Sequence, residues 1–389
     1  MRIGIFGGSF DPVHKEHTNF VRAAIAGLGL DTLFVVPAHT PPHKPDRVLS
    51  SNEDRLTMCR LAFESVEKAQ VSDYEISKAG TSYTYLTCEH FRKLYPTAEI
   101  YFLVGTDMLR DFPTWKQPNT ILDLVTLAVC GRNEKEGWWE EEQRAFFQKF
   151  GKNFARVDYE GKDISSTLIR VLAGAGMRLT DFVDERVEAY IYQKGLYQIE
   201  NAPKALALET PKRRMHSVRV AVLAAKRALG LRISERKAIT AALFHDCAKY
   251  LSPSDPLLQG FSLPKEWGDV PSSVWHQFAG AFLCERVLGI SDEDIVNAVR
   301  YHTSGREDMS DLEKLIFLAD MLEEERSYEG VEKLRALFWQ GQGLDECLEE
   351  ALFETIEFLK VKKADVYPLT KKAYEFYRKR KENYGTDNE

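Results

Sequence analysis

The second half of the chain carries a series of side chains that commonly ligate metals. Four histidines and two aspartates lie in or beside apolar helical sequence: His216, His245, Asp246, His276, His302 and Asp320. Each histidine lies about one helix further along the chain, so the helices of a bundle could direct the whole set at one interior point. Imidazole and carboxylate together suit Fe, Mn, Co or Zn. Six ligands exceed what one open catalytic metal requires, so the series predicts two ions, with Asp246 able to bridge them.

The alternative is that these residues are only packed in the core. For any one histidine that alternative would be favoured. Four histidines with two aspartates disfavour it, because an unpaired ionised carboxylate in an apolar helix is costly.

A glycine turn precedes two histidines near the N-terminus. Gly7, Gly8 and Ser9 follow a buried-strand pattern and precede a helix that we expect to begin near Pro12. Such a turn lets backbone N–H groups approach a phosphate at the positive end of the helix. His14 and His17 are three residues apart and so share one face, where they could stabilise charge during phosphoryl transfer. Neither G-x-G-x-x-G nor the P-loop pattern is present, which disfavours dehydrogenases and P-loop kinases.

A second phosphate-binding pattern occurs at residues 164–170, ISSTLIR. Ser165 or Ser166 can cap a helix, and Thr167 and Arg170 then lie on one face with a hydroxyl and a guanidinium for one phosphate group. The alternative is an ordinary capped surface helix.

The segment GGSFDPVHKEH, residues 7–17, resembles the signature of the nucleotidyltransferase superfamily, with Glu16 where that family usually has glycine. A carboxylate near the phosphates would weaken nucleotide binding unless its side chain turned to solvent. Further segments narrow the resemblance to nicotinate-nucleotide adenylyltransferases: PAHTPPHK at residues 37–44, Tyr83-Thr84, VGTDMLRDFPTW at 104–115, and ISSTLIR. The resemblance covers residues 1 to about 197.

This resemblance implies that the chain joins ATP and nicotinate mononucleotide to give deamido-NAD and pyrophosphate, with Mg²⁺ carried on the ATP phosphates. It implies catalytic roles for His14, His17, Lys44 and Arg170. The implied ATP site is Gly7, Gly8, Ser9, Phe10, His17, Ser165, Ser166, Thr167 and Arg170, and the implied mononucleotide site is Thr84, Tyr85, Asp107 and Trp115. Trp115 could stack on the pyridine ring or pack in the core, and Asp107 could anchor the nucleotide or cap a helix.

The histidine and aspartate series resembles the HD-domain phosphohydrolases, through His216, the His245-Asp246 pair with Lys249 behind it, and Asp320. The additional His276 and His302 are similar to those of bacterial HD-type symmetrical diadenosine tetraphosphate hydrolases. That family cuts its substrate into two ADP, and the resemblance implies two Fe or Mn ions with Asp246 and Lys249 in catalytic roles.

Two basic residues beside this series have open roles. Lys249 could neutralise a leaving phosphate or extend to solvent. Arg326 follows two glutamates without the proline usual in the family's Glu-Pro-x-Arg segment. It is therefore a candidate phosphate contact or part of a solvated charge run.

The pattern of predicted strands and helices divides the chain into two halves. Strand patterns at residues 2–6, 32–37, 70–75, 100–104 and 124–130 alternate with helical ones, which predicts a Rossmann-like parallel sheet with helices on both faces. The second half of the chain is almost entirely helical in pattern and predicts a helical bundle, at 215–229, 235–249, 273–288, 292–301 and 311–325. The predicted fold class is α/β followed by all-α. We expect a nucleotidyltransferase domain at 1–197, a linker at 198–212, an HD domain at 213–380 and a polar tail at 381–389.

Composition narrows the expected partners. The 389 residues include 52 Lys and Arg against 59 Asp and Glu, a net charge of −7 that disfavours nucleic acid and anionic membranes as partners. Small nucleotides are expected instead, and homo-oligomers are left open. The N-terminus shows no signal peptide, so a cytoplasmic location is expected. The six scattered cysteines indicate neither a disulfide framework nor a cysteine-based zinc site.

The favoured interpretation is a bifunctional enzyme with both activities. In a second interpretation, the first half is still the transferase, but the HD half hydrolyses another phosphoester, such as guanosine tetraphosphate or a deoxynucleotide. A third makes the HD half a non-catalytic, metal-dependent regulatory module, since ligands alone do not choose a substrate.

Overall fold

The structure, a computed structural model, describes residues 1–40, 49–78, 80–131, 137–159, 161–264, 269–341 and 343–386. It divides into two compact units. The first comprises Met1–Arg170 and Arg178–Leu196, and the second comprises Val171–Met177 and Tyr197–Glu389.

The first unit is built on a six-stranded parallel sheet with the order β3-β2-β1-β4-β5-β6. The strands are β1 Arg2–Gly8, β2 Thr32–Pro37, β3 Ala69–Val71, β4 Glu99–Gly105, β5 Thr126–Gly131 and β6 Ala155–Asp158. The order reverses between β1 and β4, so right-handed crossovers place helices on both faces of the sheet. The α/β class expected from the alternating pattern is confirmed.

In the described part of the chain, nine helices accompany this sheet: α1 Lys15–Leu28, α2 Asn52–Phe63, α3 Tyr74–Lys78, α4 Thr84–Leu94, α5 Thr106–Asp111, α6 Pro118–Leu124, α7 Trp138–Phe150, α8 Ser166–Gly174 and α9 Glu185–Gln193. A 3₁₀ turn, Phe112–Thr114, follows α5. Alternate strand residues such as Ile3, Ile5 and Val129 share one apolar core with Phe91 and Phe146 of α4 and α7. This core fixes the carboxyl ends of β1 and β4, from which the candidate site extends.

Three details of the first unit differ from expectation. Helix α1 begins at Lys15, with His14 at its N-cap position, and not near Pro12. The strand expected at 70–75 is only Ala69–Val71 long, and α3 begins at Tyr74. The edge strand Ala155–Asp158 was not expected, because its sequence ARVD is short and half charged.

The second unit is helical, as expected. Its helices are α10 Ala202–Ala207, α11 Pro211–Ala228, α12 Glu235–Phe244, α13 Ser272–Arg286, α14 Glu293–Tyr301, α15 Asp311–Leu322, α16 Val331–Trp339, α17 Asp345–Val361 and α18 Pro368–Thr386. Short 3₁₀ turns lie at Leu229–Leu231 and Pro256–Leu258. Side chains of Thr210, Ser234 and Ser310 cap α11, α12 and α15, so local sequence sets where three of the metal-site helices begin.

Two segments expected to be irregular are helical. The span 198–212, expected as a linker, contains α10, whose Ala202, Ala205 and Leu206 are buried in the second unit, and the first residues of α11. Helix α18 continues to Thr386, well into the expected tail. In the described residues no helix has the length and apolar character needed to cross a membrane.

Candidate active sites

The glycine turn lies at the carboxyl end of β1. A Cβ on Gly8 would lie 2.9 Å from the ring of Phe10, so this close approach requires glycine. Phe10 adopts a positive φ of 48°, and its buried ring contacts Phe6 and His17 with centroids 5.3 and 5.0 Å apart. Gly7 and Gly8 pair with Val36 and Pro37 of β2, and β1 pairs with β4 on its other side. The turn therefore lies where the strand order reverses, which is where ligands of doubly wound folds bind.

His14 and His17 stack at the N-terminus of α1, with ring centroids 3.6 Å apart. The backbone N–H of His14 donates to Nδ1 of His17 at 3.1 Å. Burial, and then the neighbouring His14, hold the pKa of His17 well below its usual 6.5. A neutral ring that accepts at Nδ1 carries its proton at Nε2, so His17 is prepared to donate one hydrogen bond from Nε2.

The ISSTLIR segment packs beside this turn. Ser165 caps α8 by accepting from Leu168 N–H at 3.2 Å, and the Ser166 hydroxyl donates to the carbonyl of Pro12 at 2.9 Å. Arg170 is buried, and its guanidinium donates to the Asp11 carbonyl and to the Thr167 hydroxyl. The two segments expected to bind phosphate are thus brought together.

Glu16, where the family usually has glycine, does not turn to solvent but is buried. One carboxylate oxygen accepts from the backbone N–H of Lys162 at 3.0 Å, and the other accepts from the Asn19 amide at 3.1 Å. The carboxylate therefore ties α1 to the segment that precedes α8, and its hydrogen bonds turn it to neighbouring protein groups.

Arg55 organises the same region and was missed from the sequence. It is completely buried on α2, and its guanidinium donates to the carbonyls of Ser9 at 2.7 Å, His39 at 3.3 Å and Ser50 at 3.2 Å. An arginine near the start of a helix gives no sign of such contacts in the sequence, because Ser9 and His39 lie 46 and 16 residues away along the chain.

Two of the residues expected to bind the mononucleotide, Asp107 and Trp115, follow the carboxyl end of β4. Thr84 and Tyr85 begin α4, and Asp107 begins α5 directly after β4. Trp115 is half-buried, with its indole against Phe102 and Phe112. Packing therefore orients Trp115 and still leaves part of the indole exposed. Lys44 lies outside the described residues.

The second unit gathers all six predicted metal ligands. Three groups of potential ligand atoms each lie within 4.8 Å of one another: His216 with His245 and Asp246; His245 with His302 and Asp320; and Asp246 with His276 and His302. Asp246 is fully buried. Its Oδ2 lies 3.2 Å from His245 Nε2, and its Oδ1 lies 3.2 Å from His276 Nε2.

Backbone and carboxylate acceptors orient three of these histidines. Nδ1 of His245 bonds to the Ala242 carbonyl at 2.6 Å, and Nδ1 of His302 bonds to the Val299 carbonyl at 2.7 Å. Nδ1 of His216 bonds to Oε1 of Glu323 at 3.1 Å. With Nδ1 as the donor, each neutral ring turns the lone pair of Nε2 toward the cluster, which is the arrangement of metal-binding histidines.

The donor set fits divalent metal ions. His245 Nε2 and both Asp246 oxygens are buried without a hydrogen bond of good geometry among the described residues, although charged neighbours surround them. Burial lowers the pKa of His276 to about 4 and lowers that of His302, which keeps both rings in the ligating form. Burial opposes protonation of His245 too, but Asp246 beside it raises its pKa to about 8.

Basic residues surround the cluster. Lys249 Nζ lies 3.0 Å from His276 Nε2, and burial lowers its pKa. Arg326 donates to the side chain of Asp320 at 2.7 Å and to the Asp320 carbonyl at 2.9 Å. The Arg326 guanidinium therefore lies at the edge of the cluster and forms an ion pair with Asp320. Arg213, which the sequence did not single out, pairs with Asp246.

Glu323 was also missed. It is 2% exposed, and Arg219 holds its second oxygen at 2.7 Å. Burial opposes ionisation of this carboxyl, but His216 and Arg219 lower its pKa to about 2. In sequence, Glu323 begins a run of three glutamates that is typical of a solvated surface, which is why it was not distinguished.

Fold and sites together define a nucleotidyltransferase-like α/β unit joined to a helical HD unit. Residues 5–172 match the cytidylyltransferase-like family, and residues 213–325 match the HD domain. The HD domain implies divalent metal binding, in agreement with the histidine and aspartate cluster.

One relative spans both units, and two others each match about half of the chain. A Mycoplasma genitalium protein named "probable nicotinate-nucleotide adenylyltransferase/Ap4A hydrolase" is 33% identical over 84% of this chain and 89% of its own length. A Clostridium tetani "probable nicotinate-nucleotide adenylyltransferase" is 35% identical over 50% of this chain and 98% of its own length. A solved HD superfamily hydrolase from Clostridium acetobutylicum is 32% identical, covers 46% of this chain and 97% of its own, and has a TM-score of 0.42. The chain belongs to the family of bacterial nicotinate-nucleotide adenylyltransferases fused to an HD-domain hydrolase.

Proposed function

We propose that the first unit transfers AMP from ATP to nicotinate mononucleotide. A phosphate oxygen of the mononucleotide attacks the α-phosphorus of ATP, a new P–O–P linkage forms, and the bond to pyrophosphate breaks. The products are deamido-NAD and pyrophosphate, with no covalent enzyme intermediate. The observation that carries this proposal is the stacked His14–His17 pair beside the buried Arg170, at the glycine turn.

Each group has a distinct task in this proposal. The backbone of Gly7, Gly8 and Ser9 approaches the phosphates, and His17 donates from Nε2 to an oxygen that gains charge as the α-phosphorus reacts. Arg170 contributes a fixed positive charge, and Thr167, bonded to it, offers a hydroxyl. Mg²⁺ arrives on the ATP phosphates, with water and substrate as most of its ligands.

The remaining predicted residues complete the nucleotide sites in this proposal. His14 holds the His17 ring by stacking, Phe10 supports the turn, and Ser165 and Ser166 fix the start of α8. Lys44 contributes a further charge to the triphosphate. Thr84, Tyr85, Asp107 and Trp115 surround the mononucleotide.

Pyrophosphate release tests this function. The purified chain with ATP and Mg²⁺ should release pyrophosphate with nicotinate mononucleotide, and the product should be deamido-NAD by mass spectrometry. Absence of product with this acceptor, or equal use of nicotinamide mononucleotide, would contradict the proposal.

We propose that the second unit hydrolyses diadenosine tetraphosphate symmetrically to two ADP. Asp246 carries this proposal, because its two oxygens lie between one histidine pair, His216 and His245, and another, His276 and His302. That placement fits a site in which these residues and Asp320 would hold two metal ions. Iron or manganese bound there would activate water and neutralise phosphate oxygens.

The surrounding cations fit a polyphosphate substrate in this proposal. Lys249 and Arg326 lie at the edge of the cluster, where they can hold phosphate groups of the substrate and stabilise the departing ADP. Asp246 fixes the ligand geometry, and burial lowers the pKa of His276 and of His302, which keeps both rings unprotonated. Hydrolysis adds water across the central P–O–P linkage, so one ADP takes the hydroxyl oxygen and the other takes the proton.

A phosphate-release screen tests this assignment. The chain, loaded separately with Fe and Mn, should cleave diadenosine tetraphosphate in preference to guanosine tetraphosphate and deoxynucleotides. Chromatography should show ADP alone. Equal amounts of AMP and ATP would contradict symmetrical cleavage, cleavage of another nucleotide would support the second interpretation, and no cleavage would support a regulatory module.

A further inference from the structure

Lys116 is an exposed cation placed against an aromatic ring of a distant segment. It directly follows Trp115, and its ammonium lies 4.0 Å from the centroid of the Tyr83 ring. Within the described part of the chain no carboxylate forms an ion pair with it. The ring lies against the ammonium and the side chain is exposed, so the charge is accessible to an anion.

Tyr83 fixes where this charge lies. Its carbonyl accepts from Leu86 N–H at 3.0 Å, which starts α4, and its own N–H donates to the Thr81 carbonyl at 3.1 Å. Both ends of the residue are thus held at the N-terminus of α4, where backbone N–H groups lack helical partners. The Lys116 ammonium therefore lies near the start of α4, and Lys116 directly follows Trp115 in the chain.

We propose that Lys116 is the residue that selects pyridine mononucleotides bearing a ring carboxylate over those bearing an amide. The inference rests on the proposed adenylyl transfer and deepens it. With the pyridine ring against Trp115, a ring carboxylate receives a charge-assisted hydrogen bond from Lys116. An amide in the same place brings an N–H₂ group toward an ammonium and gains no charge interaction.

Trp115 alone cannot make this distinction. An indole face stacks on the acid and amide rings alike, so its contribution to binding is nearly equal for both. Discrimination needs a group that responds to the charge of the substituent. Lys116 is that group, and Tyr83 is a positioning residue that acts through it.

The test is the ratio of kcat/KM for nicotinate mononucleotide to that for nicotinamide mononucleotide. Lys116→Met should lower the ratio about tenfold by reducing use of the acid, as expected for loss of one charge-assisted hydrogen bond. Tyr83→Leu should lower it in the same direction, and Tyr83→Phe, which keeps the ring face, should retain most of it. Lys93→Met, an exposed lysine at the end of α4, is the matched control and should leave the ratio unchanged.

The outcomes separate this inference from the function on which it rests. If the wild-type chain prefers the acid and Lys116→Met keeps that preference, the inference is overturned and adenylyl transfer stands. If the wild-type chain uses the amide equally well, or uses neither, the proposed function fails and the inference fails with it. A general loss of activity with an unchanged ratio would also overturn the inference, because a purely structural role affects both substrates.

Discussion

Nδ1 of His216 bonds to Oε1 of Glu323 at 3.1 Å, while Nε2 of the same ring lies 2.8 Å from Asp320. Glu323 thus fixes which nitrogen of His216 is turned to the cluster. Arg219 and the backbone N–H of Glu325 hold the second Glu323 oxygen at 2.7 and 2.9 Å, so the carboxylate cannot rotate freely. A carboxylate that orients a histidine ligand in this way also raises its basicity as a ligand.

Glu323→Ala should weaken metal binding by about 10- to 100-fold, the usual range for such outer contacts. Glu323→Gln should weaken it less, because the amide oxygen can still accept from Nδ1. Metal retained after dialysis against a graded chelator series measures the effect independently of catalysis.

The matched control for this change is Glu325→Ala. Glu325 also pairs with Arg219, but its side chain is 63% exposed and does not touch His216. Equal metal loss from the Glu325 and Glu323 variants would show that Glu323 has no special role in orienting the ligand.

Glu16 should stabilise the segment before α8 through its hydrogen bond to Lys162. Glu16→Ala removes the acceptor for Lys162 N–H, so hydrogen exchange in the segment before α8 should become faster, by about tenfold for loss of a bond worth about 1.4 kcal/mol. Exchange mass spectrometry of the peptide that contains Lys162 measures this. Glu67→Ala, an exposed change on the same unit, should leave that peptide unaffected. An unchanged exchange rate in the Glu16 variant would mean that the hydrogen bond between Lys162 and Glu16 does not stabilise this segment.

His17 should remain neutral across the working pH range. Its pKa in the folded protein lies well below 6.5, so its ring signals in NMR should not titrate between pH 8 and about 6. Because the unfolded chain then binds a proton that the folded chain does not, this residue's contribution to stability is lost as pH falls below about 6.5. The His17→Gln variant identifies the signal. A titration midpoint near 6.5 would contradict the buried, neutral ring.

The sequence was most informative where chemistry and pattern coincide. Histidines in apolar helical sequence are unusual, so the sequence was sufficient to predict the four histidines and two aspartates as metal ligands. The structure brings all six of these residues together. Arg55, Arg213 and Glu323 gave no such indication, because a charged residue in a helix is ordinary until its partner is known. Their partners arise from tertiary contacts, and Glu323 lies 107 residues from His216.

Fold prediction was limited in a similar way. Buried strands such as Thr32–Pro37 were clear from their apolar runs, whereas Ala155–Asp158 is stabilised by pairing at the sheet edge rather than by its composition. The span 198–212 was expected to be a linker, yet its two prolines, Pro203 and Pro211, lie in the first turns of helices, where proline is favoured. Proline marks a helix start as well as an interruption, and sequence alone does not choose between them.

The two activities should be separable by mutation, since their residues belong to different compact units. His17→Ala should reduce adenylyl transfer by about two orders of magnitude, the loss typical of one preorganised donor, and hydrolysis should persist. Asp246→Ala should abolish hydrolysis, because Asp246 lies within reach of four histidines, and adenylyl transfer should persist. Thermal unfolding of each variant shows whether it is folded.

The most direct measurement monitors both reactions in one purified chain. Wild type, His17→Ala and Asp246→Ala are each given ATP with nicotinate mononucleotide and, separately, diadenosine tetraphosphate with iron or manganese, and the products are resolved by chromatography. We expect wild type to form deamido-NAD and ADP, His17→Ala to form only ADP at the normal rate, and Asp246→Ala to form only deamido-NAD. Equal loss of both products in either folded variant would contradict two independent active sites.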